Sequence, residues 1–123
     1  HQLGGFYNLP HGECNAILLP HVEKFNVIAK MEKFAAMAEY FGCKTEGLST
    51  REAADLALDA IRKLSSDVGI PASLTEMGKF YGKDVKASDI PTMTANAQKD
   101  ICKFTNPRTA TDKDVAAIYT EAL

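Results

Sequence analysis

Three histidines, His1, His11 and His21, fall within the first 21 residues of this 123-residue chain. Imidazole is the commonest transition-metal ligand among side chains, and its neutral ring can also shuttle protons. His11 stands between Pro10 and Gly12 at the entrance to an apolar helix. There its ring can point into a cleft, while the glycine admits a close backbone or a ligand. Asn15, Leu18 and Val22 share its helix face, and His21 lies about 80° away, as a surface or supporting residue. The histidine spacing matches no metal-ligand pattern, so two readings stay open: a metal ligand, or a histidine hydrogen-bonded at a helix start. His1 has no upstream neighbours from which to be judged. The opening His1-Gln2-Leu3-Gly4-Gly5-Phe6-Tyr7-Asn8, without an initiator methionine, reads as the middle of a longer segment.

The other reactive side chains carry weaker signals. Cys14, Cys43 and Cys102 are read as buried small hydrophobes. Gly4 and Gly5 belong to no phosphate-binding pattern. Asn106-Pro107-Arg108 is read as a turn with a structural arginine rather than an anion clamp. Arg51, Arg62 and the lysines look like solvated helix faces.

The elements that must position these residues are all helical. Pro10 can occupy the first turn of a helix running to about Phe25, which Pro20 should kink or divide. A second helix fits Ala29 to Phe41, with Met31, Phe34, Ala35, Ala38 and Phe41 inward and Gly42 as its left-handed terminator. Ser49-Thr50-Arg51-Glu52 is a capping box. It opens a third helix in which Ala53, Ala57, Ile61, Leu64 and Val68 share one face, stopped by Gly69 and Pro71. Ser73 to Glu76 caps a short helix that Gly78 and Gly82 break. Ser88 to Lys103 reads as one helix with Ile90, Met93, Ala97, Ile101 and Phe104 as its stripe and Pro91 in its first turn. Thr111 caps the last helix, which buries Val115, Ile118 and Tyr119, with Asp112 and Asp114 suiting its positive end. No alternating β-branched run asks for a sheet. The expected fold class is all-α, with five to six helices in one domain over residues 1–123.

Composition bounds the rest. Hydrophobic residues make up 46% and charged residues 24%, as in ordinary globular domains. A net charge of −2 supplies no basic field for nucleic acid. Three cysteines without a CxxC spacing suit a reducing compartment. No apolar run approaches the roughly 20 residues of a membrane span, and no signal peptide is visible. A cytoplasmic location is expected.

Taken together, the segment from His1 to Gly12, then Asn15-Ala16-Ile17-Leu18-Leu19-Pro20-His21-Val22 and Phe25-Asn26, resembles a signature of the iron-containing (group III) alcohol dehydrogenases. The subgroup it is most similar to includes lactaldehyde reductases and 1,3-propanediol dehydrogenases. The resemblance continues through Pro71-Ala72-Ser73-Leu74, Ala97 to Asp100 and Asn106-Pro107-Arg108, and so covers essentially the whole chain.

That resemblance implies a two-domain enzyme: a dinucleotide-binding α/β domain, absent from this chain, and a dehydroquinate synthase-like helical domain whose C-terminal part is present. It implies one Fe²⁺, or Zn²⁺, held by an aspartate and three histidines in the cleft between the domains. His11 corresponds to one ligand, and the others lie upstream of His1. His1 corresponds to a non-ligand histidine beside metal and nicotinamide, expected to relay protons or to position the coenzyme. Phe6 and Cys102 correspond to substrate-pocket positions, although helix packing would account for both. The implied reaction is metal-assisted hydride transfer between a small alcohol or diol and NAD or NADP, with the aldehyde as product. The full-length protein is expected to be a homo-oligomer. With one metal ligand of four, this chain alone is expected to be inactive and to bind NAD weakly. The competing expectation is a non-enzymatic helical module that docks a partner through an exposed patch of Leu18, Leu19 and Val22.

Overall fold

Seven α-helices follow one another in the computed structural model, which describes residues 1–123: α1 (Gln2–Tyr7), α2 (His11–Asn26), α3 (Met31–Tyr40), α4 (Thr50–Asp67), α5 (Leu74–Phe80), α6 (Ile90–Ala97) and α7 (Asp112–Ala122). Short 3₁₀ turns at Val27–Ala29, Ala87–Asp89 and Ile101–Thr105 join or extend them, and no strand is present. The all-α expectation holds. The count exceeds it because α1, with two glycines in six residues, has too little intrinsic helix propensity to be visible as a helix in the sequence.

Side-chain caps set the starts of α4, α5 and α7. Ser49 Oγ accepts from the Glu52 amide while the Glu52 carboxylate accepts from the Ser49 N–H at 2.8 Å, which satisfies two free donors at the start of α4. Thr111 and Asp114 repeat the arrangement at α7. Ser73 caps α5 by accepting from Glu76 N–H, but the Glu76 carboxylate turns instead to the Ala72 amide. Gly42 ends α3 at φ 79°, in the left-handed region that glycine enters at little cost. Gly78 is no breaker. It sits inside α5 because a Cβ there would lie 2.7 Å from the Lys83 carbonyl oxygen.

The helices enclose two apolar clusters. In the first, eleven buried residues from α1, α2, α5, α6, α7 and the loops between them meet, with Leu3, Leu74, Met77 and Met93 essentially sealed. In the second, Phe34 and Ala38 of α3 pack with Val27 onto Ala54, Ala57 and Leu58 of α4. Small residues on α4 let the two helices approach closely. The expected inner face of α4 fails in its last turns, where Leu64 and Val68 are exposed. The ten residues of α3 cannot cover the eighteen of α4. Phe41, expected inward, lies beyond the end of α3 and is also exposed.

Two proline and loop expectations are corrected. Helix α2 runs unbroken through Pro20, with Pro10 as its N-cap. An interior proline costs about 3 kcal/mol, and burial of Cys14, Ile17 and Asn26 against α4 and α7 offsets it. The single helix expected over residues 88–103 ends at Ala97. Continuing it would require the Cys102 N–H to bond the Gln98 carbonyl. Instead the Asp100 carboxylate takes the Cys102 N–H at 2.9 Å, and the Gln98 carbonyl accepts from Lys103 Nζ. Such local side-chain bonds compete with the helical ladder. Ile101 and Phe104 consequently face solvent instead of continuing the stripe. No helix is long and apolar enough to cross a membrane.

Candidate functional site

The N-terminal hook brings His1 and His11 together. Leu3 anchors α1 in the first cluster, at 1% exposure. Tyr7 extends the anchor: its hydroxyl donates to Asp89 at 2.5 Å and accepts from the Lys86 amide at 3.2 Å. Burial and the Asp89 carboxylate raise the Tyr7 phenol above its ordinary value, so it stays a neutral donor. Asn8 then turns the chain at φ 55°, ψ 41°, with its N–H on the Gly4 carbonyl. Asparagine tolerates this left-handed turn better than other non-glycine residues. Leu9 is buried, Pro10 caps α2, and His11 becomes its first residue. As a result the two imidazoles stack, with ring centroids 5.0 Å apart and planes 21° from parallel.

A third element closes on the same point. Asp100 caps the 3₁₀ turn Ile101–Thr105, and one of its carboxylate oxygens takes the Cys102 N–H. The other lies 2.5 Å from Nδ1 of His1. The Cys102 amide holds Asp100 below the usual carboxylate range, and hydrogen bonding to Asp100 raises the Cys102 thiol. The ligand atoms of His1, Asp100 and Cys102 lie within 4.8 Å of one another. That is metal-site spacing, but one Asp100 oxygen already accepts the Cys102 N–H and the other faces His1 Nδ1, so the trio is held together as a hydrogen-bonded network.

Cys102 also stands in the wall of a cavity of about 590 Å³, whose apolar side is formed by Leu18, Val22, Phe25, Val115 and Ile118. Phe6 does not line this cavity; it is 42% exposed, on α1 beside Tyr7. Thus His1, His11 and Cys102 converge at one end of the molecule, and Phe6 lies apart from the cavity. Cys102 is exposed, against the expectation of burial, because the 3₁₀ turn carries it out of the helix stripe. Cys14 is buried as expected, and burial raises its thiol. His21 pairs at 3.7 Å with Glu121, which Lys24 also holds at 2.9 Å. Arg108 donates to the Phe25 carbonyl and lies 3.9 Å from the Phe25 ring centroid, while Asn106 exchanges amide hydrogen bonds with the buried Asn26. The Asn-Pro-Arg turn is therefore structural. Leu18 and Val22 are half-buried in the cavity wall, which leaves only Leu19 of the supposed docking patch exposed.

Asp100 is the site residue that the sequence reading overlooked. Its signal was available: an aspartate two residues before an amide it can cap, directly before a cysteine-bearing turn.

Comparison with known proteins places this geometry among relatives. The model of the Fe-containing alcohol dehydrogenase family, C-terminal, matches residues 1–123. A 1,3-propanediol dehydrogenase of Citrobacter freundii is 50% identical over 122 residues, covering 99% of this chain and 30% of that protein. An NAD-dependent methanol dehydrogenase of Bacillus methanolicus is 46% identical over 123 residues, covering 100% of this chain and 31% of that protein. A crystal structure of a 1,3-propanediol oxidoreductase superposes with a TM-score of 0.93 at 48% identity, over 100% of this chain and 31% of that one. The chain therefore spans about 30% of the length of the curated relatives it matches.

Proposed function

The chain belongs to the Fe-containing alcohol dehydrogenase family, and on that premise we propose that it is the C-terminal part of a dehydrogenase that interconverts small alcohols or diols and aldehydes by hydride transfer. The match over residues 1–123 carries this reading. The relatives' names supply the substrate class, primary alcohols of one to three carbons, and one of them names NAD as coenzyme. NADP is the alternative carrier. The proposed metal is Fe²⁺, with Zn²⁺ able to use the same nitrogen donors.

His11 suits the role of metal ligand. Its ring is exposed, and the Asn15 side-chain amide lies 3.4 Å from its Nδ1. Amide orientation follows the hydrogen-bond network; with the Asn15 oxygen turned to Nδ1–H, Nε2 keeps its lone pair for a metal. One nitrogen does not hold iron against water, so the remaining ligands come from outside residues 1–123, and this chain alone is inactive. When bound, the ion acts as a Lewis acid on the substrate oxygen. The chain's own residues do the rest. His1, stacked on His11, borders the reacting centre and positions coenzyme or relays a proton. Cys102 lines the substrate site from the cavity wall. Phe6, exposed on α1 and outside this cavity, keeps its substrate-pocket role only through its matching position in the family. The apolar cavity wall excludes water beside the reacting carbon.

Location in the cytoplasm and self-association of the full-length protein belong to the same reading. The test is to express the full reading frame that encodes this segment, load it with Fe²⁺ without oxygen, and follow NADH formation with 1,3-propanediol and 1,2-propanediol. Turnover with either diol bears the reading out. A full-length protein inert toward every small alcohol, or turnover by residues 1–123 alone, overturns it.

A further inference from the structure

Four observations meet at Asp100. Its carboxylate is held on one side by the Cys102 N–H at 2.9 Å and faces His1 Nδ1 on the other at 2.5 Å. It is the less exposed partner, at 22% against 50% for His1. The far side of the same network is the Cys102 thiol, in the cavity wall. The face of the His1 ring lies against His11. An ionised carboxylate can only accept hydrogen bonds, so the nitrogen facing it carries the proton. We propose that Asp100 is the positioning residue for His1: it fixes the Nδ1–H tautomer and the ring's orientation, so that Nε2 is the open acceptor nitrogen beside His11.

The contrast with His11 supports this. The partner of His11 Nδ1 is an amide, Asn15, at 3.4 Å, and an amide can turn to donate or to accept. It aligns the His11 ring without choosing the tautomer. Asp100 leaves no such choice. Nor is stability a sufficient reason for the pair. A half-exposed ion pair at a surface adds little to folding, whereas a carboxylate on an imidazole nitrogen determines which nitrogen is left to act. The capped turn makes the carboxylate rigid. Its Cys102 bond is set by backbone, so the His1 ring is referenced to the cavity wall and not to a mobile side chain.

This inference rests on the dehydrogenase reading only for its catalytic consequence; the tautomer itself can be tested without any activity. Asp100→Asn is the informative change. The asparagine oxygen can still cap Cys102 N–H, while its NH₂ faces His1 and donates to Nδ1, which requires the proton to move to Nε2. Long-range ¹H–¹⁵N spectra of the imidazoles in the 123-residue chain, taken at alkaline pH where free imidazole is neutral, report the protonated nitrogen directly. The expected result is Nδ1–H for His1 in the parent, Nε2–H in Asp100→Asn, and recovery of Nδ1–H in Asp100→Glu. An Nε2–H ring in the parent, or a spectrum unchanged by Asp100→Asn, overturns the proposal. In the full-length enzyme Asp100→Asn should lower kcat about a hundredfold with iron content and alcohol KM nearly unchanged, and Asp100→Glu should restore part of it. Unchanged kcat also overturns the proposal. A full-length protein inert before any substitution, whose His1 tautomer nevertheless switches as described, sinks the dehydrogenase reading and leaves the positioning role of Asp100 standing.

Discussion

The α3–α4 hairpin and the His1–His11–Asp100 end of the molecule are built on opposite plans. The hairpin uses two long helices, a full capping box, a glycine terminator and small alanines that let Phe34 seat closely. It carries none of the candidate site residues. The other end uses a six-residue helix, a left-handed asparagine and a 3₁₀ turn, none of which would hold shape alone. It carries His1, His11 and Cys102. Regular structure that explains itself locally serves as support, while the candidate residues His1 and Cys102 sit on short irregular pieces pinned by a few buried anchors such as Leu3 and Leu9, and His11 opens the long helix α2.

That contrast can be broken by truncating one anchor on each side. Phe34→Ala should cost about 3–5 kcal/mol, and Leu3→Ala about 2–5 kcal/mol. Chemical denaturation measures both. The distinguishing readout is local: Leu3→Ala should abolish nuclear Overhauser contacts between the His1 and His11 rings in the folded chain, and Phe34→Ala should keep them. If both variants lose the contacts equally, the two ends are one cooperative unit and the contrast fails.

A finer version uses the caps. Ser49→Ala removes the acceptor for the Glu52 amide and should cost about 1 kcal/mol. Hydrogen exchange should speed up at the first turn of α4, with no change around His11. Exchange rising equally at both ends would contradict independent support.

The smallest effect concerns charge. Burial raises the Glu23 carboxyl on α2, partly countered by the Asn26 side chain. A raised carboxyl disfavours its ionised form in the native state, so Glu23 opposes folding at neutral pH and ceases to do so as pH falls below its folded value. Glu121 behaves oppositely. Lys24 holds it low, and its support is present above the unfolded carboxylate value and lost as pH drops through the folded one. Glu23→Gln should therefore raise the melting temperature at neutral pH, by at most about 1 kcal/mol of stability after allowance for solvent screening, with the gain vanishing in acid. A gain that persists in acid would assign the effect to packing.

The same contrast decides what could be read from the residues alone. Ser49 with Glu52, Thr111 with Asp114, and Gly42 announce their helix ends because the capping bonds lie within a few residues. Leu64 and Val68 continue the periodicity of α4 yet face solvent, since the length of a partner helix is not written in a helix's own pattern. Helix α1 and the break after Ala97 were hidden for a related reason. The first depends on burying Leu3 among distant residues, and the second on the Asp100 and Lys103 side chains taking bonds away from the helical ladder. From spacing His11 was legible only as one of two readings, and the proposal that it binds metal rests on the resemblance. The His1–Asp100 pair, 99 positions apart in the chain, could come only from the fold.

The most direct test of the account is the iron content of the full-length protein with and without His11→Ala, measured after anaerobic loading and gel filtration, with diol turnover followed on the same samples. The account expects one iron per chain in the parent, and loss of both iron and turnover in the variant, with the helical circular-dichroism signal unchanged. Retention of iron by a folded His11→Ala protein would contradict it.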